Sequence, residues 1–132
     1  MLDRVGPART EYLYAWSKLL QAGIPCAGGS DAPIEPLSPF LGMHAAVTRR
    51  KPGERNAGYL PEEKLSLQEA LGLFTEGSAA AAGEERERGR IAPGYHADFT
   101  VTDRAIMKDA EELLRVKVRM TVINGIAAYS AD

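Results

Sequence analysis

Ile24-Pro25-Cys26-Ala27-Gly28-Gly29 is a short apolar run bounded by glycines, and Ser30-Asp31-Ala32-Pro33 follows it at once. This pattern predicts a buried strand. Pro25 fits best at its first position, where a missing N–H is tolerated, and the two glycines allow close backbone approach at its end. The strand would close on an exposed carboxylate, Asp31. An aspartate at the carboxyl end of a barrel strand lies where α/β barrel enzymes carry their chemistry. The Gly-Gly pair is not a phosphate cradle, because the GxGxxG and P-loop spacings are both missing.

Helices are expected on either side of this run. Pro7 can open one that runs to about Gln21, with Ala8, Tyr12, Trp16, Leu19 and Leu20 at helical spacing and Gly23 as a left-handed stop. Tyr12 and Trp16 are read as helix packing, not as a stacking platform. Pro33, Pro36 and Pro39 hold the next loop extended, and Ser38-Pro39 begins a helix to about Arg50. Lys51 to Tyr59 is an exposed loop. Ser66 with Glu69 forms a capping-box pattern ahead of Leu67, Ala70, Leu71 and Phe74. Gly77 should break that helix, and Ser78 should cap a short alanine-rich one ending at Gly83.

The character changes at Glu84, beyond which the chain reads as strands. Phe99-Thr100-Val101-Thr102 alternates by two, Asp109 and Glu112 mark a brief helical turn, and Val116 to Val122 alternates again. Asn124-Gly125 is a strong hairpin signal, with a return from Ile126 to Tyr129. The run Glu84 to Arg90 mixes charges of both signs and is read as a solvated link.

A length of 132 residues suits one domain, and a chain that is 45% hydrophobic and 26% charged is globular. A net charge of −2 gives no reason to expect a nucleic-acid partner, and no apolar run approaches the ~20 residues of a membrane span. Met1-Leu2-Asp3-Arg4 meets charge at once, so no secretory leader is expected there. Cys26 is the single cysteine, which excludes an internal disulfide and fits a reducing cytoplasm. It is read as a small buried thiol in the strand.

Three pieces occur in order. They are Gly23-Ile24-Pro25 through Gly29-Ser30-Asp31-Ala32-Pro33; Leu65-Ser66-Leu67-Gln68-Glu69-Ala70-Leu71 with Thr75-Glu76-Gly77-Ser78-Ala79-Ala80; and Gly89-Arg90-Ile91-Ala92-Pro93-Gly94 with Ala97-Asp98-Phe99-Thr100-Val101. Together they resemble the carboxyl-terminal part of a metal-dependent amidohydrolase, close to the amidohydrolase 3 branch. The resemblance implies a fragment of a (β/α)₈ barrel followed by part of a small β-sandwich. Residues 1–83 would be the final helix–strand–helix part of the barrel, and residues 84–132 the late strands of the sandwich. A complete barrel takes ~250 residues.

The resemblance also implies that Asp31 follows the eighth barrel strand, touches the catalytic metal and handles the proton of the metal-bound water. Asp31 is thus the candidate catalytic and metal-ligating residue. A divalent metal, zinc first, is expected in a complete enzyme, where it lowers the pKa of bound water from ~15.7 toward ~7. A zinc site takes about three protein ligands, and the family's histidine ligands lie on earlier strands, so Asp31 alone is not expected to fix a metal. His44, inside the helix after the strand, and His96, in a turn of the sandwich, are read as structural. Arg49-Arg50-Lys51 is a basic cluster at a helix end, where cations favour the dipole.

Two functions of different class follow. The first is the carboxyl-terminal part of a hydrolase acting on non-peptide carbon–nitrogen bonds of a small-molecule amide, inactive as this chain alone and completed by an amino-terminal barrel segment. The second is a non-catalytic fragment or association module in which Asp31 is a relic. In either case a homo-oligomer is expected, because the barrel strand and its helix would lack partners. The substrate-binding residues are not legible.

Overall fold

The computed structural model describes residues 2–131. Among them, the helices α1 (Leu2–Val5), α2 (Trp16–Gln21), α3 (Pro39–Thr48), α4 (Leu67–Phe74) and α5 (Glu76–Ala82) precede the strands β1 (Phe99–Thr102), β2 (Val118–Ile123) and β3 (Ile126–Ser130). Short 3-10 turns occupy Pro7–Tyr12, Pro61–Glu63 and Ala110–Arg115. The helical first part and strand-bearing second part agree with the change of character at Glu84.

The expected helix from Pro7 to Gln21 is broken. A 3-10 turn covers Pro7–Tyr12, Tyr14 takes φ 50°, and the α-helix starts only at Trp16. Tertiary packing overrides the helical period here. The Tyr14 and Trp16 rings meet edge to face at 5.8 Å, and both lie beside the Arg49 guanidinium, whose carbon is 4.6 Å from the Trp16 ring centre. Tyr12 is left 72% exposed, so it does not pack as the helical spacing suggested. Gly23 does supply the left-handed stop, at φ 73°: its N–H reaches Leu20 O at 2.9 Å and that of Ile24 reaches Leu19 O at 3.0 Å. This is the paired bonding of a Schellman motif.

The strand expected over Ile24 to Gly29 is absent. These residues carry no ladder, and Ile24 is 47% exposed. A strand exists only through its partners, and no described element presents an edge to this run. Besides the Ile24 N–H bond to Leu19 O of α2, the Gly28 N–H donated to Leu73 O at 2.8 Å ties it to α4.

Helix α3 starts at Ser38-Pro39 as expected, although the Ser38 side chain makes no cap bond. It closes at Arg49, in the left-handed region at φ 59°, whose N–H returns to Ala45 O. The capping box of α4 is complete. The Glu69 N–H donates to Ser66 Oγ at 3.2 Å, and the Ser66 N–H and hydroxyl donate to Glu69 Oε2 at 2.7 and 2.8 Å. These bonds hold the Glu69 carboxyl below its ordinary pKa.

The break after α4 falls at Thr75, not at Gly77, which lies inside α5. Gly77 serves close approach instead: a Cβ there would sit 2.1 Å from Cys26 O. Ser78 likewise caps nothing and donates to Leu73 O at 3.1 Å. Gly83 ends α5 at φ 74°, as expected.

The three strands form one antiparallel sheet in the order β1-β2-β3. Phe99 pairs with Val122 and Val101 with Met120, while Thr121 pairs with Tyr129 and Ile123 with Ile126. Asn124 and Gly125 both take positive φ, the signature of the tight turn their sequence predicts. The core is built from Met43 and Ala46 of α3, Leu65, Ala70 of α4 and Leu113 of the last 3-10 turn. Leu113 therefore joins the second part of the chain to the helices.

Candidate active site

Asp31 follows the Ile24–Ser30 run in a tight turn, where its carbonyl accepts the Ile34 N–H at 2.9 Å. Its φ is 50°, a left-handed conformation that aspartate and asparagine tolerate better than most residues. The side chain is exposed, and no hydrogen bond or ion pair to it occurs among the described residues. The carboxylate is thus presented, not consumed as a local cap.

Beside it lies an open cleft of about 1100 Å³. Gly28, Ser30, Glu35, Leu37, His44 and Phe74 are among its walls, whereas Asp31 itself is not. The glycines matter here. A Cβ on Gly28 or Gly42 would fall 2.8 or 2.6 Å from the Phe74 ring, so the ring seats the run against α3 only because both positions are bare.

No group of three His, Cys, Asp or Glu side chains among the described residues is placed to hold a metal. One carboxylate does not fit a zinc centre, which takes about three protein ligands.

The two histidines stand apart from Asp31 in their contacts. His44 is buried under the 110–115 turn, with Nε2 3.6 Å from Glu111 Oε1 and neither ring nitrogen hydrogen-bonded. His96 sits in the turn before β1, where Nδ1 meets Asn124 Oδ1 at 2.5 Å. Cys26 is half-exposed on the cleft wall, with Sγ 3.4 Å from Ile24 O, which corrects the buried-strand thiol.

The basic cluster is dispersed into separate contacts. Arg49 is 9% exposed and donates Nε–H to Tyr59 O at 2.9 Å, and burial lowers its pKa against the opposing charge of Glu63. Arg50 pairs with Glu111 Oε1 at 2.7 Å. Nor is the charged run after Gly83 simply solvated. Arg88 bonds Asp98 at 3.0 Å and Arg90 bonds Glu76 at 3.0 Å, ties that local charge alternation could not announce because their partners are remote.

Glu63 was missed altogether. It is 1% exposed, accepts the Lys18 backbone N–H at 3.2 Å, and pairs with the Lys18 ammonium at 3.2 Å. Although desolvation pulls its carboxyl pKa upward, the Lys18 bonds prevail and hold it below the ordinary value.

No described helix is long and apolar enough to cross a membrane. Residues 1–129 match the model of the amidohydrolase family. The Bacillus subtilis protein YtcJ, named as an amidohydrolase, is 45% identical over 98% of this chain and 25% of its own length. An N-substituted formamide deformylase of Arthrobacter pascens is 32% identical over 89% of this chain and 21% of its own. The chain thus spans about a quarter of these relatives.

Among solved structures, an amidohydrolase from Thermotoga maritima superposes with TM-score 0.67 at 21% identity, over 89% of this chain and 26% of the other. A metal-dependent hydrolase from Pyrococcus furiosus superposes with TM-score 0.64 at 33% identity, over 79% and 20%. The ordered motifs, the architecture and these matches agree: the chain belongs to the amidohydrolase family.

Proposed function

We propose that this chain is the carboxyl-terminal portion of a metal-dependent hydrolase of non-peptide carbon–nitrogen bonds, with Asp31 as its proton-transfer carboxylate. Residues 1–83 would complete a barrel and residues 84–132 a β-sandwich, in a cytoplasmic protein. The observation that carries the reading is the Asp31 carboxylate, which has no partner among the described residues, at the end of a glycine-rich run that none of their strands flanks. Such a run is what a barrel strand becomes when its neighbours are supplied from elsewhere, and barrel chemistry is placed at the carboxyl ends of strands.

Asp31 would take a proton from the attacking water and deliver it to the leaving nitrogen, which one positioned group can do in both directions. A metal, zinc first, would need further ligands from residues beyond this chain. The deformylase relative supports an amide-type C–N bond as the target.

The test is a longer polypeptide carrying the reading frame upstream of Met1, assayed with zinc, manganese and cobalt against N-substituted formamides, N-acyl amino acids and cyclic ureides. Asp31→Asn, which the left-handed backbone accepts, should cut turnover by about 10²–10⁴ with the fold intact. The 132-residue chain alone should show no metal-dependent turnover. Robust turnover by this chain alone, or a fully active Asp31→Asn enzyme, would overturn the assignment. An upstream frame without a His-x-His motif would favour the non-catalytic module instead.

A further inference from the structure

We propose that His96 is a proton-operated clasp that ties the 84–98 linker to the β2–β3 hairpin and closes on acidification. The inference stands apart from the catalytic reading, since it needs neither Asp31 nor a metal.

The linker is fixed to the helices. Gly89 packs so closely on α5 that a Cβ would lie 2.9 Å from Glu76 Cα and 3.0 Å from Thr75 O, and Arg90 pairs with Glu76 at 3.0 Å. The hairpin is fixed to the linker's far end. The Gly125 N–H donates to Ala97 O at 2.9 Å, and that of Asn124 donates to Asp98 Oδ1 at 2.8 Å.

His96 stands between them. Its own N–H reaches Glu87 O at 2.8 Å, its Nδ1 meets Asn124 Oδ1 at 2.5 Å, and its Nε2 is 3.5 Å from Glu87 Oε2. Both ring nitrogens therefore face acceptors. Neutral imidazole has one N–H and one lone pair. With the Nδ1 proton given to Asn124, the Nε2 lone pair opposes the Glu87 carboxylate. Only the imidazolium serves both ends: the neutral ring can keep the Nδ1–Asn124 bond but loses the Glu87 ion pair, so the bridge from Glu87 through the ring to the turn is complete only in that form.

The surrounding charges support this direction. The Asn124 bond raises the His96 pKa above its ordinary 6.5, and Glu87 and Asp98 add to it. Partial desolvation and Arg88 oppose, and Arg88 is itself engaged by Glu84 and Asp98. A raised folded pKa means that the contribution is fully present below the ordinary value and is lost as pH rises through the folded one. At higher pH the hairpin should loosen from the linker while Leu113 keeps the second part of the chain anchored in the core.

The test is imidazole C2-proton exchange followed by mass spectrometry on the full chain, which reads each of the two histidines separately. His96 should titrate above 6.5, and both Glu87→Gln and Asn124→Gly should lower that value. Asn124→Gly keeps the left-handed turn residue while removing its amide. Amide exchange in the 118–130 segment, corrected for intrinsic rates, should rise severalfold as pH passes through the His96 titration. That step should vanish in His96→Phe. Titration at or below 6.5, values unchanged in both variants, or an exchange step that survives in His96→Phe would each overturn the clasp.

Discussion

Replacing Gly77 by alanine should destabilise the chain by about 2 kcal/mol, even though alanine is the better helix former. Gly77 lies in the first turn of α5, where relief of glycine's backbone entropy is worth at most about 1 kcal/mol. Against that gain, the added Cβ would stand 2.1 Å from Cys26 O, under the 3.0 Å that real contacts respect. The obstacle is a backbone carbonyl, so no rotamer change relieves it. The run must move by about 0.9 Å, which strains the Gly28–Leu73 bond. Overpacking costs about 1–3 kcal/mol and a weakened hydrogen bond about 1 more, so the loss outweighs the helix gain. Urea unfolding and thermal melts should both register it, the latter as a fall of roughly 8 °C. Gly72→Ala is the control. It lies within α4 with nothing inside 4 Å of its Cβ, and should stabilise by about 0.5–1 kcal/mol. A Gly77→Ala protein as stable as the parent, or a parallel fall in Gly72→Ala, would refute the steric argument.

Three further outcomes follow from the geometry. Ser66→Ala should cost about 1 kcal/mol through loss of the capping box. Because Glu69 is held below its ordinary 4.5, this advantage exists above that pH and fades as pH falls through the depressed value, so the melting curves of parent and variant should converge in acid. His44→Leu should be neutral or stabilising by up to about 1 kcal/mol at pH 8, since a buried ring with two unpaired nitrogens is exchanged for an apolar group; a large loss of stability would show that the His44–Glu111 contact matters more than its 3.6 Å suggests. The chain should self-associate at micromolar concentration, because the 24–30 run has no strand partner among the described residues and β3 leaves Ile126 72% and Tyr129 51% exposed. A strictly monomeric species in sedimentation would count against the barrel-portion reading.

What could be read in advance was chiefly local chemistry. Ser66 with Glu69, Gly23, Gly83 and Asn124-Gly125 each act within a few residues of themselves, and each behaves as its residue type requires. The failures share a different cause. Tyr14 leaves the helical path for Arg49, which lies 35 positions away. Gly77 is glycine because Cys26 O needs the space, a fact absent from its own neighbourhood. The apolar run from Ile24 satisfies every local rule for a strand yet finds no edge to pair with. Asp31 was legible as a carboxylate closing that run. Its positive φ and its lack of a partner among the described residues were not, because both depend on how the loop of prolines folds back. Glu63 gave no signal, since Pro-Glu-Glu-Lys reads as surface until Lys18 is brought beside it.

The place of Leu113 in the core bears on how the molecule is made. Its partners Met43 and Ala46 leave the ribosome about 70 residues earlier, which at synthesis rates of about 5–20 residues per second is an interval of several seconds. During that time α3 and α4 can meet, but one side of their shared apolar surface stays wet. The nascent helices are then a natural client for a holding chaperone. A stop codon anywhere before 113 would leave the core unclosed as well as removing β2 and β3.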